Sequence, residues 1–136
     1  MDPLYRARAT CAGPHPGEVR SSDGVLRARL GVPHELGGTG GGTNPEQLLA
    51  AAYAACFYTA LEQAAREAGQ PLPADLQVDC DVGLGRRDDG FALELQVHVA
   101  QADEAMREWV ERAAQLWPHA PGVEPVVRVT GVQGPG

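Results

Sequence analysis

The stretch Asn44–Gly69, NPEQLLAAAYAACFYTALEQAAREAG, decides how this chain folds. Asn44 is a good helix cap, and Pro45 suits the first helical position, where its missing N–H costs nothing and its fixed φ is already helical. Glu46 puts a negative charge in the first turn, where the helix dipole favours it. Gly69 supplies the left-handed residue on which helices end. The spacing therefore predicts a helix from Pro45 to about Ala68. Between Leu48 and Leu61 it is apolar nearly all round and rich in alanine, so it is expected to be enclosed by other elements or by a partner chain. Cys56 lies in the middle of that stretch.

Working outward, Leu4–Cys11 and Val19–Leu30 read as extended segments joined by Gly13-Pro14-His15-Pro16-Gly17, a first hairpin. The glycine-rich run Glu35–Thr43 reads as a flexible loop leading into the helix. Beyond the helix, Leu76, Val78, Cys80, Val82 and Leu84 alternate with polar residues. The alternation resumes after Arg86–Gly90 at Phe91, Leu93, Leu95, Val97 and Val99, giving a second, half-buried hairpin. Met106, Trp109, Val110, Ala113, Leu116 and Trp117 recur at helical spacing until Pro118 ends the pattern. Val126–Val129 adds a short last strand. The expected architecture is a single α+β domain over residues 1–136, order β-β-α-β-β-α-β, built round a long central helix.

A net charge of -7 and a pI near 4.9 argue against a nucleic-acid partner, which needs clustered cations. The longest uncharged apolar run, Leu48–Leu61, is shorter than a bilayer span, and the amino terminus lacks a signal-peptide pattern. No membrane association and a cytoplasmic location are expected. Three cysteines, Cys11, Cys56 and Cys80, are odd in number and widely spaced, so free thiols are expected rather than a disulfide framework. All eleven cationic residues are arginine, which excludes Schiff-base chemistry and a P-loop lysine. His15, His34, His98 and His119 lack the paired spacing of a zinc site. Neither a metal nor a cofactor is expected.

Cys56 admits two readings. Unpaired cysteine usually acts as a small buried hydrophobe. A reactive thiol instead needs a cation that holds it as thiolate, and the helix dipole fades within the first turn, well before Cys56. With lysine absent, the candidate cation is Arg20, beside Ser21, Ser22 and Asp23 on the first hairpin. Glu46 is suited to hold such an arginine by a bidentate carboxylate pair, or else serves only the helix start. Ten residues of helix put Glu46 and Cys56 about 15 Å apart along the axis and about 80° apart around it, so a long arginine or a second subunit has to bridge them.

Three stretches carry a resemblance to a known family: Val19-Arg20-Ser21-Ser22-Asp23-Gly24-Val25-Leu26, the run from Pro33 to Leu48, and Tyr53-Ala54-Ala55-Cys56-Phe57. They resemble the organic hydroperoxide resistance proteins, the Ohr branch of the OsmC/Ohr superfamily, and with the element order the similarity covers nearly the whole chain. The resemblance implies the OsmC-like fold, an intertwined homodimer with two active sites, and reduction of organic hydroperoxides to alcohols in oxidative-stress defence. It makes Cys56 the peroxidatic thiolate, Arg20 the cation that stabilises it, and Glu46 the carboxylate that orients Arg20. Tyr53 and Phe57, with the glycine loop, would favour an alkyl substrate. The expected reductant is a small-molecule or lipoyl-type thiol.

The family pattern also has a second cysteine, followed by proline, at the end of the second helix, and this chain has Trp117-Pro118-His119 there. The resolving cysteine is thus expected to be missing, with Trp117 closing that side of the substrate pocket and His119 a loop residue or a donor within it. Three outcomes stay open: a one-cysteine peroxidase served by an external thiol, a substitute thiol for which Cys11 is the better candidate, or a sensor or apolar-ligand-binding protein without turnover. Cys80, facing inward with Val78 and Val82, is expected in the core.

Overall fold

The computed structural model describes residues 2–15, 17–117 and 126–131. It divides into two compact units, Met1–Pro45 and Glu46–Gly136. The second unit opens on the helix that the sequence reading starts from.

The first unit is a three-stranded antiparallel meander, β1 (Ala9–Ala12), β2 (Glu18–Ser21) and β3 (Arg27–Arg29). The expected hairpin is therefore corrected: its second arm, Val19–Leu30, is two strands. Side chains fold the intervening residues into a tight turn. The Ser21 hydroxyl donates to the Asp23 carboxylate at 2.6 Å and accepts the Leu26 N–H at 3.0 Å, while Asp23 accepts the Val25 N–H. These bonds to Ser21 and then Val25 hold the Asp23 carboxyl below its ordinary value. Asp23-Gly24 was the overlooked turn signal, with Gly24 at φ 77°.

The glycine run expected to be a flexible loop is knitted to β3. Thr43 N–H donates to the Arg29 carbonyl, Gly31 N–H to Thr43, and Gly40 N–H to Val32, all within 2.9 Å. Glycine is needed for close backbone approach: a Cβ at Gly38 would lie 2.0 Å from the Val32 carbonyl oxygen, and one at Gly42 2.6 Å from that of Arg29.

In the second unit α1 spans Pro45–Glu67. It ends as the sequence predicts, with Gly69 at φ 71°. Gln70 N–H bonds to Ala65 and Gly69 N–H to Arg66, the paired bonds of a Schellman cap. The long hairpin β4 (Gln77–Arg87) and β5 (Gly90–Ala102) turns at Asp88-Asp89, and β6 (Val126–Gly131) pairs parallel to β5. A single 3-10 turn leads into α2 (Arg107–Leu116). Observed order is thus β-β-β-α-β-β-α-β, the α+β arrangement expected with one strand more.

The core lies between one face of α1, the inward face of β4–β5, and α2. Phe57, Leu61, Val97 and Val99 are fully buried, with Met106, Val110, Ala113 and Trp117 completing it. Each large side chain so enclosed contributes about 1.5–3 kcal/mol of transfer free energy. Cys80 packs against this cluster, as its alternation predicts. Burial, and after it the neighbouring Asp81, pushes its thiol up. An ion pair at 3.0 Å joins Glu67 on α1 to Arg112 on α2. The expectation that α1 is enclosed holds for one face: Ala51, Ala52, Ala55, Cys56 and Thr59 on the other are exposed. Among the described residues no helix is long and apolar enough to cross a membrane.

Candidate functional site

Cys56 is exposed on α1, three turns into the helix. Residues three, four and seven positions on share its face, and these form the walls around it: Thr59, Ala60 and Gln63, with Ala55 beside the thiol and Leu116 from the end of α2. They bound an open groove of about 480 Å³. Its polar groups are already engaged along the helix. Thr59 donates its hydroxyl proton to the Ala55 carbonyl at 3.0 Å, and Gln63 accepts from Arg66 and donates to Glu67. What remains beside the thiol is mostly apolar, a surface suited to an alkyl chain.

Trp117 meets Tyr53 and Phe57 edge-on, with ring centroids 5.2 and 5.0 Å apart and interplanar angles of 68° and 73°. Three of the four residues assigned to the substrate pocket are therefore brought together. They belong to the core, with Phe57 and Trp117 buried and Tyr53 packed against them, rather than to the walls of the groove at Cys56. Leu116 and Trp117 are adjacent, so α2 ends with one residue on the groove and the next in the core. His119 lies outside the described residues.

Glu46 is half-buried in the first turn of α1, ten residues before Cys56. Arg20 belongs to the first unit, on β2, where its exposed side chain lines a cavity of about 680 Å³ together with Arg29, Glu18, His15, Leu30 and Gly40. Cys11 sits one register step from Arg20, since Cys11 pairs with Val19 and Thr10 with Arg20. Side chains alternate along a strand, so the Cys11 thiol and the Arg20 guanidinium leave opposite faces of the sheet.

Sequence reasoning missed Thr59, Ala60 and Gln63, although counting three, four and seven residues from Cys56 would have found them. It also missed Leu116, which joins them only through the packing of α2 on α1, and Arg29, which shares a face with Arg20 only because β2 and β3 are separate strands.

Residues 38–130 match the family model described as OsmC-like protein. The chain is 42% identical over 131 residues to the organic hydroperoxide resistance protein of Xanthomonas axonopodis pv. citri, covering 93% of this chain and 92% of that one. It is 33% identical to OhrB of Bacillus subtilis, with coverage of 86% and 88%. Among solved structures, an organic hydroperoxide resistance protein from Elizabethkingia anophelis superposes with a TM-score of 0.85 at 32% identity, covering 97% of this chain and all of the other. A putative one from Vibrio cholerae, with captopril bound in one of its active sites, gives a TM-score of 0.85 at 36% identity, covering 97% and 96%.

Proposed function

Because the chain belongs to the OsmC-like family, among the organic hydroperoxide resistance proteins, we propose that it is a thiol-dependent peroxidase that reduces organic hydroperoxides to alcohols at Cys56, in oxidative-stress defence. The observation that carries this reading is the exposed Cys56 thiol beside a groove whose polar groups are satisfied within the helix. A purely structural cysteine would be expected to pack against the core, as the half-buried Cys80 does.

In the first step the Cys56 thiolate attacks the terminal peroxide oxygen. The S–O bond forms as the O–O bond breaks, leaving Cys56 as sulfenic acid and the substrate as an alkoxide that takes up a proton to become the alcohol. Arg20, held by Glu46, would balance the negative charge that passes from sulfur to the departing oxygen. An external thiol then attacks the sulfenic sulfur and releases water. A second thiol reduces the mixed disulfide, returning Cys56 and yielding an oxidised reductant. With Trp117 in the core at the end of α2, the reading requires no second protein cysteine. The small-molecule or lipoyl-type reductant supplies both electrons, in the cytoplasm. A homodimer is part of the proposal, with the exposed α1 face and the exposed apolar residues Leu84, Phe91 and Leu93 as the surfaces it would cover.

The test is consumption of cumene hydroperoxide by the purified protein with dihydrolipoamide, glutathione or no thiol, for the wild type and Cys56→Ser. Turnover that depends on thiol and disappears in Cys56→Ser is expected. A single stoichiometric oxidation of Cys56, or none, with every thiol tried would sink the enzymatic reading in favour of a sensor or an apolar-ligand-binding protein.

A further inference from the structure

The groove at Cys56 has a direction. Thr59, Ala60 and Gln63 follow Cys56 by three, four and seven residues on α1. That spacing puts them about 4.5, 6 and 10 Å further along the axis and within about 60° of Cys56 around it. The groove therefore runs as a strip from the thiol toward the carboxyl end of α1. Thr59 turns its hydroxyl back to the Ala55 carbonyl at 3.0 Å, so its methyl is the branch left to the groove. Ala60, 7% exposed, forms the floor, and half-buried Leu116 closes one side from α2. Among the described residues none of the walls carries a fixed charge. The strip ends in polar groups that are already paired. Gln63 accepts from Arg66 at 3.0 Å and donates to Glu67 at 3.4 Å, and Glu67 is held by Arg112 at 3.0 Å.

We propose that this strip is the subsite for the unbranched alkyl chain of a primary hydroperoxide, with Thr59 and Leu116 as specificity-determining residues and Gln63 as the stop that sets chain length. The peroxide end lies at Cys56 and the chain points toward Gln63; this rests on the peroxidase reading above and names its substrate class. Carbon–carbon bonds of about 1.5 Å at a tetrahedral angle advance an extended chain about 1.25 Å per carbon, so about eight carbons fill the distance from the thiol to Gln63. Up to that length each methylene leaves water for the Thr59 methyl, Ala60 and Leu116, which favours binding. Beyond it, the chain meets the paired groups of Gln63, Arg66 and Glu67, and stripping water from polar groups costs free energy. A partner subunit on the exposed α1 face, as proposed above, would roof the groove into a channel and leave these walls in place.

The experiment has a kinetic arm and a binding arm. In the first, mass spectrometry follows the rate of Cys56 oxidation by primary alkyl hydroperoxides from ethyl to dodecyl. The rate should rise about twofold per carbon, since an open groove buries about half of a methylene whose complete burial is worth about fourfold. It should level off near octyl. Thr59→Ser, which keeps the hydroxyl and removes the methyl, and Leu116→Ala should each lower the octyl-to-ethyl rate ratio about twofold or more. Thr59→Val, which keeps the methyl, should preserve that ratio, a check that stands even if Leu116→Ala folds poorly. Gln63→Leu should carry the plateau to longer chains. In the second arm, alcohols from butanol to decanol are titrated into Cys56→Ser protein, which lacks the thiol, and binding is read from the NMR signals of the Thr59 and Leu116 methyls. Affinity should follow the same dependence on length. Rates and affinities that ignore chain length, a rise that Thr59→Ser and Leu116→Ala leave intact, or a plateau unmoved by Gln63→Leu would overturn the subsite. Alcohols bound with the expected length dependence, but no oxidation of Cys56 by any hydroperoxide, would instead overturn the peroxidase reading and leave the alkyl groove standing.

Discussion

Phe57 and Trp117 pack edge to face, their ring centroids 5.0 Å apart at 73°. Phe57 is the neighbour of Cys56 in sequence, and Trp117 stands where the resemblance implies a resolving cysteine. The tryptophan is thus no loose substitute: it is 2% exposed and locks the end of α2 onto α1. Trp117→Ala should cost about 3–5 kcal/mol, the range for removing a buried aromatic ring. Urea unfolding followed by far-UV circular dichroism checks this; a loss under about 1 kcal/mol would mean that the ring can be spared.

The three thiols should differ in reactivity. Cys11 and Cys56 are exposed, while Cys80 is half-buried and its thiol is pushed up by burial and by Asp81. With iodoacetamide at neutral pH, mass spectrometry should find Cys80 labelled last. Because the folded protein keeps this thiol protonated at a pH where the unfolded chain ionises it, its contribution to stability is intact below the ordinary thiol value and is lost as pH rises from there through the raised folded value. Cys80→Ala should remove that part of the alkaline decline, as thermal unfolding across the alkaline range would show.

The Glu67–Arg112 pair links the end of α1 to α2, and the hydrogen bond from Arg112, then that from Gln63, holds the Glu67 carboxyl below the ordinary value. A lowered carboxyl stabilises the fold above the unfolded-state value and loses that contribution as pH falls through the folded one. Glu67→Gln should therefore show a shallower loss of stability in acid than the wild type. Both side chains are partly exposed, so the effect should be small and should shrink in high salt. Thermal melts across the acid range, at low and high salt, test the sign.

Close approach rather than looseness explains the glycine loop, and substitutions can tell the two apart. Gly38→Ala would drive a Cβ into the Val32 carbonyl and should cost about 1–3 kcal/mol or more. Gly41→Ala meets open space but strains a residue at φ 82°, costing about 1–2 kcal/mol. Both should lower the denaturation midpoint, Gly38→Ala further; equal, negligible effects would restore the flexible reading.

Patterns that repeat within one element were legible in the sequence. Asn44-Pro45 and Gly69 bounded α1 to within a residue, because caps are set by local backbone chemistry, and alternation marked both strands of the long hairpin. Cys56 could be singled out from its residues and from their family resemblance. The split between β2 and β3 was legible in principle from Asp23-Gly24, but extended residues on either side masked it.

Tertiary structure alone decided the rest, because it depends on distances between residues that no local spacing encodes. Helical spacing sets Cys56 among Thr59, Ala60 and Gln63, but only the packing of α2 on α1 adds Leu116 to that groove and puts Trp117 in the core. Only the strand register sends Cys11 and Arg20 to opposite faces and gathers Arg20 and Arg29 on one. Sequence by itself determined which residues have the chemistry; folding determined which of them face the same space.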